Sequence, residues 1–469
     1  MTVVALELND AGISAVSEGA PDTLAIAESP GYALVEDGSV VTGVDARARA
    51  RLKPRFIHTR FWDALDTTPL SRPFPNELSR ADLAHAHLKQ VWESLQDDDG
   101  VDEAVLAVPG WYGLEQLGLI LGMARACDIS VNGMIDSALA AAAGVSGPSA
   151  ASPVHAVHLD LHLHRISAAR IVREDLLVRE NTVVNDDVGL IPLYDAWATF
   201  VAQTFVRQTR HDPLHSAESE QKLYDLLPGW LETLIDDDEA TLSLRPTGKK
   251  LTIELDRGQL VQSAGAYYES VAALAISVMP LDEPVILLVS HRLGRLPGLV
   301  EKLSRDVSDN LVLLPPEAAA AGALAYDSHV PSAGESEGSL TFLTSLHLGE
   351  GGKPFEADSS FHATSDDVRS PTHLLHDALA HPLDPAPFLL GVSIPEGKRG
   401  LNLTGDTAGI SRYHCSIYRS NGRVVVEDHS KFGSFVNGKR VHERAPLAAG
   451  DRLRLGTPGV EVQLIEVAD

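Results

Sequence analysis

The sequence predicts an α/β domain, then a polar linker, then a small all-β sandwich. Three observations carry this. Up to about residue 326, short apolar runs alternate with segments of helical periodicity, the pattern of strands and helices packed in layers. From 328 to 387 the composition turns to Gly, Ser, Pro, Asp and His without a usable period, which reads as a linker. Beyond 388 every apolar run is short, β-rich and bounded by turn residues. The boundaries are therefore set at 1–327, 328–387 and 388–469, and the two outer domains are expected to fold independently because so polar a linker joins no cores.

Taken in order, residues 3–8 (VVALEL) and 103–109 (EAVLAVP) are predicted as buried strands. Residues 114–127 place apolar side chains at helical spacing, and 134–144 are alanine-rich and helical. The strict alternation of 154–172 (VHAVHLDLHLHRISAARIV) predicts a hairpin of two strands. Helices are expected over 219–234 and 259–279, the first kinked or broken at Pro228-Gly229. PVILLVS, 284–290, is a further buried strand with a helix from about 296. LTFLTSL in the linker could form a short paired segment. FLLGVS, HCSIYRS, RVVVED, SFVNGKRV, DRLRLG and VEVQLIEV are the strands of the sandwich. No internal repeat is visible in the residues.

Composition excludes several classes. With 44% apolar and 22% charged residues the chain is not a disordered one. Its net charge of -27 repels phosphate backbones and anionic lipid, so neither nucleic acid nor a membrane is expected as partner. No run reaches membrane-spanning length and MTVVALELND lacks a secretory pattern. Two cysteines, Cys127 and Cys415, leave no disulfide framework and fit a reducing cytoplasm. The charge is unevenly spread. From 388 onward there are 11 Lys/Arg against 9 Asp/Glu, and the rest holds 27 against 56.

The stretch EAVLAVPGWYGLEQLGLILGMARACDISVNGMIDSALAAAAG resembles the region of DnaK-type (seventy-kilodalton heat-shock) chaperone ATPases where a strand ending in Val-Pro precedes a helix, a strand and an alanine-rich helix. PVILLVSHRLGRLPGLVEKL resembles their adenosine-site strand and helix, and LLPPEAAAAGALAY their closing helix. The resemblance runs in order from Val3 to Tyr326 and implies an actin-like ATPase fold, two related α/β lobes around a cleft. It also implies where ATP chemistry would sit, and that chemistry is missing. The family's first phosphate hairpin, Asp-Leu-Gly-Thr-Thr, is here Glu7-Leu8-Asn9-Asp10-Ala11. The second, Asp-Leu-Gly-Gly-Gly-Thr, is Asp160-Leu161-His162-Leu163-His164-Arg165, and the adenosine strand ends Val289-Ser290-His291-Arg292 where the family has Gly-Gly-Ser. The catalytic lysine falls on Thr59, the glutamate of the alanine-rich helix motif on Ser137, and the adenine clamp on LLPGWLETL. Glycines let backbone N–H groups approach phosphates, so their loss puts side chains where oxygens belong. Glu7, Asp10 and Asp160 are the cofactor-site residues if nucleotide still binds; otherwise no cofactor is expected, with ATP and Mg as the alternative. His158, Asp160, His162 and His164 share a strand face suited in type to Zn²⁺, yet they span ~20 Å, so a polar strand lining a cleft is the expected reading and no metal site is assigned.

Ser411-Arg412-Tyr413-His414 matches the Ser-Arg-x-His motif of forkhead-associated (FHA) domains. Asp428-His429-Ser430-Lys431-Phe432-Gly433-Ser434-Phe435-Val436-Asn437-Gly438 is similar to their Asp-x-Ser-x-Asn-Gly-Thr-x-Val-Asn-Gly run. The resemblance implies phosphothreonine binding by loops at one end of the sandwich, with contacts at Ser411, Arg412, Lys431 and Ser434. The family arginine after the first strand's glycine is absent, since Val392 follows Gly391, and Lys398 or Arg399 is the expected substitute. Phe432 stands where the family has asparagine, and a module that recognises an unphosphorylated partner is the open alternative. Thr364, followed by Ser365-Asp366-Asp367, is a candidate ligand within the linker. The expected protein is a non-enzymatic cytoplasmic scaffold whose pseudo-ATPase domain is tethered to an FHA module. The alternative is a working ATP-binding regulator whose lobe closure controls that module.

Overall fold

In the computed structural model the chain forms two compact units, residues 1–359 and 360–469. The structure describes residues 2–19, 24–99, 101, 103–145, 154–174, 176–245, 250–280, 283–325, 342–347, 371–376, 379–383, 387–395, 398–403, 409–420, 423–437, 439–441, 444–457 and 459–465. Thr364 and its acidic neighbours lie outside these.

The first unit begins with β1 (Val3–Glu7), β2 (Ile13–Ser17), β3 (Leu24–Ser29), β4 (Ala33–Glu36), β5 (Ser39–Thr42), β6 (Ile57–His58), β7 (Glu103–Val108) and β8 (Ser130–Asp136). Its second half holds β9 (Val154–Leu161), β10 (Ile166–Arg173), β11 (Leu176–Asn185), β12 (Glu239–Leu244), β13 (Leu251–Asp256), β14 (Val285–Val289), β15 (Leu311–Leu313), β16 (Phe342–Leu343) and β17 (Ser345–His347). The first large sheet runs β3-β2-β1-β7-β8-β16, an antiparallel meander continued by parallel strands. The second runs β11-β10-β9-β14-β15, with β17 on its β11 edge. Their first five strands follow the same order and direction: meander, then two parallel strands. A repeat that no residue pattern reveals is thus present in topology, because burial on both faces asks only for apolar residues and leaves their identity free.

Parallel neighbours need helical crossovers. The helix Leu114–Ala126 joins β7 to β8 and buries Leu117, Ile120, Met123 and Ala124. Two alanine-rich helices, Ser137–Ala143 and Ala318–Ala325, share a core with Ala5 and Val105 of one sheet and Ala169 and Ile171 of the other. Small side chains let them touch: a Cβ at Gly322 would stand 2.0 Å from the Ala140 carbonyl oxygen, so only glycine fits. The expected break at Pro228 does not occur, and one helix runs Ala217–Asp236 through it. Leu223, Leu227, Leu231 and Leu234 are buried along one face, so packing outweighs the one backbone donor that proline removes. The single helix expected over 259–279 is instead two, Arg257–Ser263 and Gly265–Val278.

The second unit is a β-sandwich. It contains β18 (His373–His376), β19 (Leu379–Pro382), β20 (Phe388–Gly391), β21 (Gly400–Asn402), β22 (Cys415–Ser420), β23 (Arg423–Asp428), β24 (Ser434–Val436), β25 (Lys439–Arg440), β26 (Arg444–Leu447), β27 (Arg452–Leu455) and β28 (Val460–Ile465). One sheet is β19-β18-β28-β27-β24-β25, the other β21-β20-β22-β23-β26. Leu390, Ile417 and Val426 of one face Leu374, Leu453 and Leu464 of the other in a single core. Four strands fall within 328–387. Phe342–Leu343 pairs with β8 and Ser345–His347 with β11, adding an edge to both large sheets, while β18 pairs with β28 and β19. Two to four residues are too few to show a period against a Gly- and Ser-rich background, which is why composition alone reads as linker.

Candidate functional site

Two groups of polar residues stand out, one at the tips of the β1–β2 and β9–β10 hairpins and one on the loops of the sandwich.

The hairpins occupy equivalent places in the two large sheets, and their tips are stitched together by side chains. Asn9 accepts from the Ala11 backbone N–H at 2.8 Å and donates through Nδ2 to Asp160 Oδ2 at 2.8 Å and to the Leu161 carbonyl at 3.2 Å. Asp10 Oδ1 accepts from the Leu163 N–H at 2.9 Å and has His162 Nδ1 at 3.4 Å. Arg292, which follows β14, enters between them and is only 8% exposed. Its guanidinium donates to both Glu7 carboxylate oxygens, at 2.8 and 3.3 Å, and to the Gly12 carbonyl at 2.9 Å. It also lies 3.2 Å from Glu28 and 3.6 Å from Asp160.

This network sets the local electrostatics. Burial pushes Glu28 up, but the His291 hydrogen bond at 2.7 Å and the Arg292 charge outweigh it and hold the carboxyl at about 2. Burial likewise opposes the charge of Asp160, which Arg292 and His162 keep ionised well below the usual carboxylate range. Burial works against the Arg292 charge too, and Glu7, Asp160 and Glu28 overcome it. The two carboxylates that the sequence offered for a hydrated metal, Glu7 and Asp160, therefore already face an internal cation, and Asp10 is committed to the opposite hairpin.

His162 stays near Asp160, with Nε2 at 3.8 Å from Oδ2, while His155 and His164 take separate partners. His162 sets its ring edge-on to Trp111 at 4.4 Å, His164 bonds Thr59 at 2.8 Å, His155 meets Glu283, and burial pushes His158 down to about 4. Among the described residues no three His, Cys, Asp or Glu side chains are placed to hold a metal. Beside the hairpin tips lies a cavity of about 350 Å³ lined by Ala11, Leu163, Tyr32, Tyr194, Arg51 and Tyr224 among others. The Arg51 guanidinium rests 3.7 Å above the Tyr224 ring and is paired with Asp195 at 2.6 Å.

On the sandwich, β20, β22 and β24 bring the motif residues to one end. A Cβ at Gly391 would lie 2.2 Å from the Arg412 carbonyl, so this glycine lets β20 pass directly under the Ser411-Arg412 turn. His414 organises that turn. Its Nδ1 accepts from the Ser411 N–H at 3.0 Å, which leaves the proton on Nε2 to donate to the Gly433 carbonyl at 3.1 Å. Burial disfavours the charged form of His414, in keeping with this neutral tautomer. Ser411 Oγ accepts from the Lys431 N–H at 3.2 Å, tying the two loops together.

The side chains assigned from sequence divide. Ser411, Arg412 and Lys431 come together; Arg412 and Lys431 are exposed, and no described residue pairs with either charged group. Ser434 is fully buried and donates to Asp428 at 2.8 Å, a role inside the loop scaffold. Arg399 donates to the Pro382 carbonyl and lies 5.5 Å from the Phe388 ring. Because its neighbour Gly400 pairs with Leu389, Arg399 sits at the start of β20 and not at its Gly391 end. Lys398 is exposed in the turn closed by its N–H to the Pro395 carbonyl. Sequence reasoning passed over Glu28, whose only signal was charge at the end of an apolar strand, read Arg292 only as a departure from the adenosine-site glycines and Phe432 only as a lost asparagine, and gave Tyr413 no role. No helix among the described residues is long and apolar enough to cross a membrane.

The model of the FHA domain family matches residues 399–456. These residues are an FHA domain, a phosphoprotein-binding interaction module, and they contain the Ser411, Arg412 and Lys431 cluster. No match is found among curated proteins.

Proposed function

We propose that this is a non-enzymatic cytoplasmic interaction protein in which the FHA domain docks a threonine-phosphorylated partner through Ser411, Arg412 and Lys431, while the first unit is an actin-like scaffold that has given up nucleotide chemistry. The observation that carries the docking half is that the exposed Arg412 follows Ser411, whose Oγ is tied to the Lys431 loop, in a turn held by His414. A dianionic phosphate matches a fixed guanidinium fork with neutral donors around it.

For the scaffold half, the support is the repeated sheet order and the Arg292 network between the hairpins. A triphosphate entering there would have to displace a guanidinium from Glu7 and would meet the carboxylates of Asp10, Asp160 and Glu28 without added cations. The cavity beside Ala11 and Leu163 favours the second reading, an ATP-binding regulator, because it leaves room next to both hairpins.

Thermal unfolding with millimolar Mg-ATP separates the two. A ligand present at a hundred times its Kd stabilises the native state by about 2.7 kcal/mol, so a clear rise in Tm of the first unit would establish the regulator and sink the scaffold. Calorimetry with a phosphothreonine peptide and its unphosphorylated twin tests the docking half, and equal affinity for both would remove it.

A further inference from the structure

We propose that Phe432 and Tyr413 extend the phosphate-binding end of the FHA domain into a two-part surface, which takes phosphothreonine on Arg412 and Lys431 and a large apolar side chain of the same peptide on the two aromatic rings. This rests on the phosphopeptide reading above and adds the class of peptide.

Both rings are exposed to solvent. Phe432 is 52% exposed and Tyr413 38%. Neither is loose. Phe432 sits between two anchored residues: the Lys431 N–H is held by Ser411 Oγ at 3.2 Å, and Gly433 gives its N–H to Ser430 Oγ at 2.7 Å and takes a hydrogen bond from His414 on its carbonyl. Gly433 has φ +82, so the bend that turns Phe432 outward is built on a residue that bears it without strain. Tyr413 lies flat on His429, with centroids 4.6 Å apart and planes 16° from parallel, and His429 is fixed by Ser416 Oγ at 2.9 Å. Aromatics carried on the same two held loops as Arg412 and Lys431 lose little backbone entropy on contact and offer apolar area on the loops that carry the charge.

Phe432 replaces the asparagine that the FHA resemblance leads one to expect, and its ring cannot hydrogen-bond a peptide backbone. The affinity lost there is recovered by burying apolar surface, which requires an apolar residue in the peptide. The cationic groups of Arg412 and Lys431 select the phosphate, and the rings select its neighbour.

The test uses the full-length protein and a phosphothreonine peptide series in which leucine or serine occupies each flanking position in turn, with unphosphorylated twins, read by calorimetry. At one flanking position the leucine peptide is expected to bind about tenfold more tightly than its serine counterpart. Phe432→Asn and Phe432→Ala should abolish that ratio while leaving the dependence on phosphate intact. Arg412→Ala should weaken the leucine and serine phosphopeptides alike and preserve the ratio. Equal binding of leucine and serine peptides at every position overturns the proposal and leaves the phosphopeptide reading standing. A leucine preference that survives in both Phe432 variants also overturns it. Equal binding of phosphorylated and unphosphorylated twins overturns the reading beneath it.

Discussion

Arg292 and Arg412 are the same residue in opposite circumstances. Arg292 is buried between two hairpins and faces Glu7, Glu28 and Asp160, whereas Arg412 is exposed on a turn, with no described residue paired to its guanidinium. Each occupies a place where resemblance to a known family leads one to look for phosphate. The difference teaches that a cation marks an anion site only when the protein has not supplied the anion itself. Desolvating a guanidinium costs several kcal/mol, and internal carboxylates offset this only as a complete set.

Removing the internal cation should have the largest effect. Arg292→Ala leaves three carboxylates facing one another in a buried space and is expected to destabilise the first unit by about 3–5 kcal/mol in denaturant unfolding. A change below about 1 kcal/mol would mean that water reaches the carboxylates and the network is not closed.

Acidification should act next. Burial pushes His87 down to about 3 and His158 to about 4, from an ordinary value of 6.5. A histidine held neutral in the fold contributes its full stability above 6.5 and loses it as pH falls toward the folded value. Each histidine should cost about 1.4 kcal/mol per pH unit over that window. Glu28, held at about 2, adds to the same loss below 4.5. Urea unfolding at pH 7, 6 and 5 should show it; a first unit equally stable at all three would contradict the burial of these side chains.

On the exposed arginine the expected effect is smaller and appears in binding alone. Arg412→Ala should weaken a phosphothreonine peptide by about 1.5–3 kcal/mol, tenfold or more, with Tm unchanged. A fall in Tm without loss of phosphate dependence would reverse the comparison and make Arg412 structural.

The smallest effect sharpens which cations serve the phosphate. Arg399→Ala should change phosphopeptide affinity less than twofold, since its guanidinium is engaged by the Pro382 carbonyl and stands near Phe388, at the far end of β20. Lys398→Ala then decides whether that turn contributes at all. A loss on Arg399→Ala equal to that of Arg412→Ala would restore Arg399 as the substitute arginine.

Much of the sandwich was legible because its signals are local. Ser411, Arg412 and His414 lie within one turn, and Gly391 and Gly433 mark backbone that any side chain would obstruct or strain. The buried strands VVALEL, EAVLAVP and PVILLVS were legible for the same reason, since an apolar run of strand length has few other places to go. Ser434 and Arg399 show the limit. Both were picked by type and position in a motif, and their surroundings sent one into the core and the other to a backbone carbonyl.

By itself the sequence determined the kinds of secondary structure, the two main regions, the absence of glycine at residues 8–11 and 161–165 and the presence of the FHA motif, because each is encoded by neighbours in the chain. Only the tertiary structure decided that the two large sheets repeat one topology, that residues 342–347 edge both of them, and that Arg292 meets Glu7 across 285 positions of sequence. Charge pairing over such a separation depends on where the folded backbone brings each group, and burial fixes which partner it meets. No local pattern carries that information.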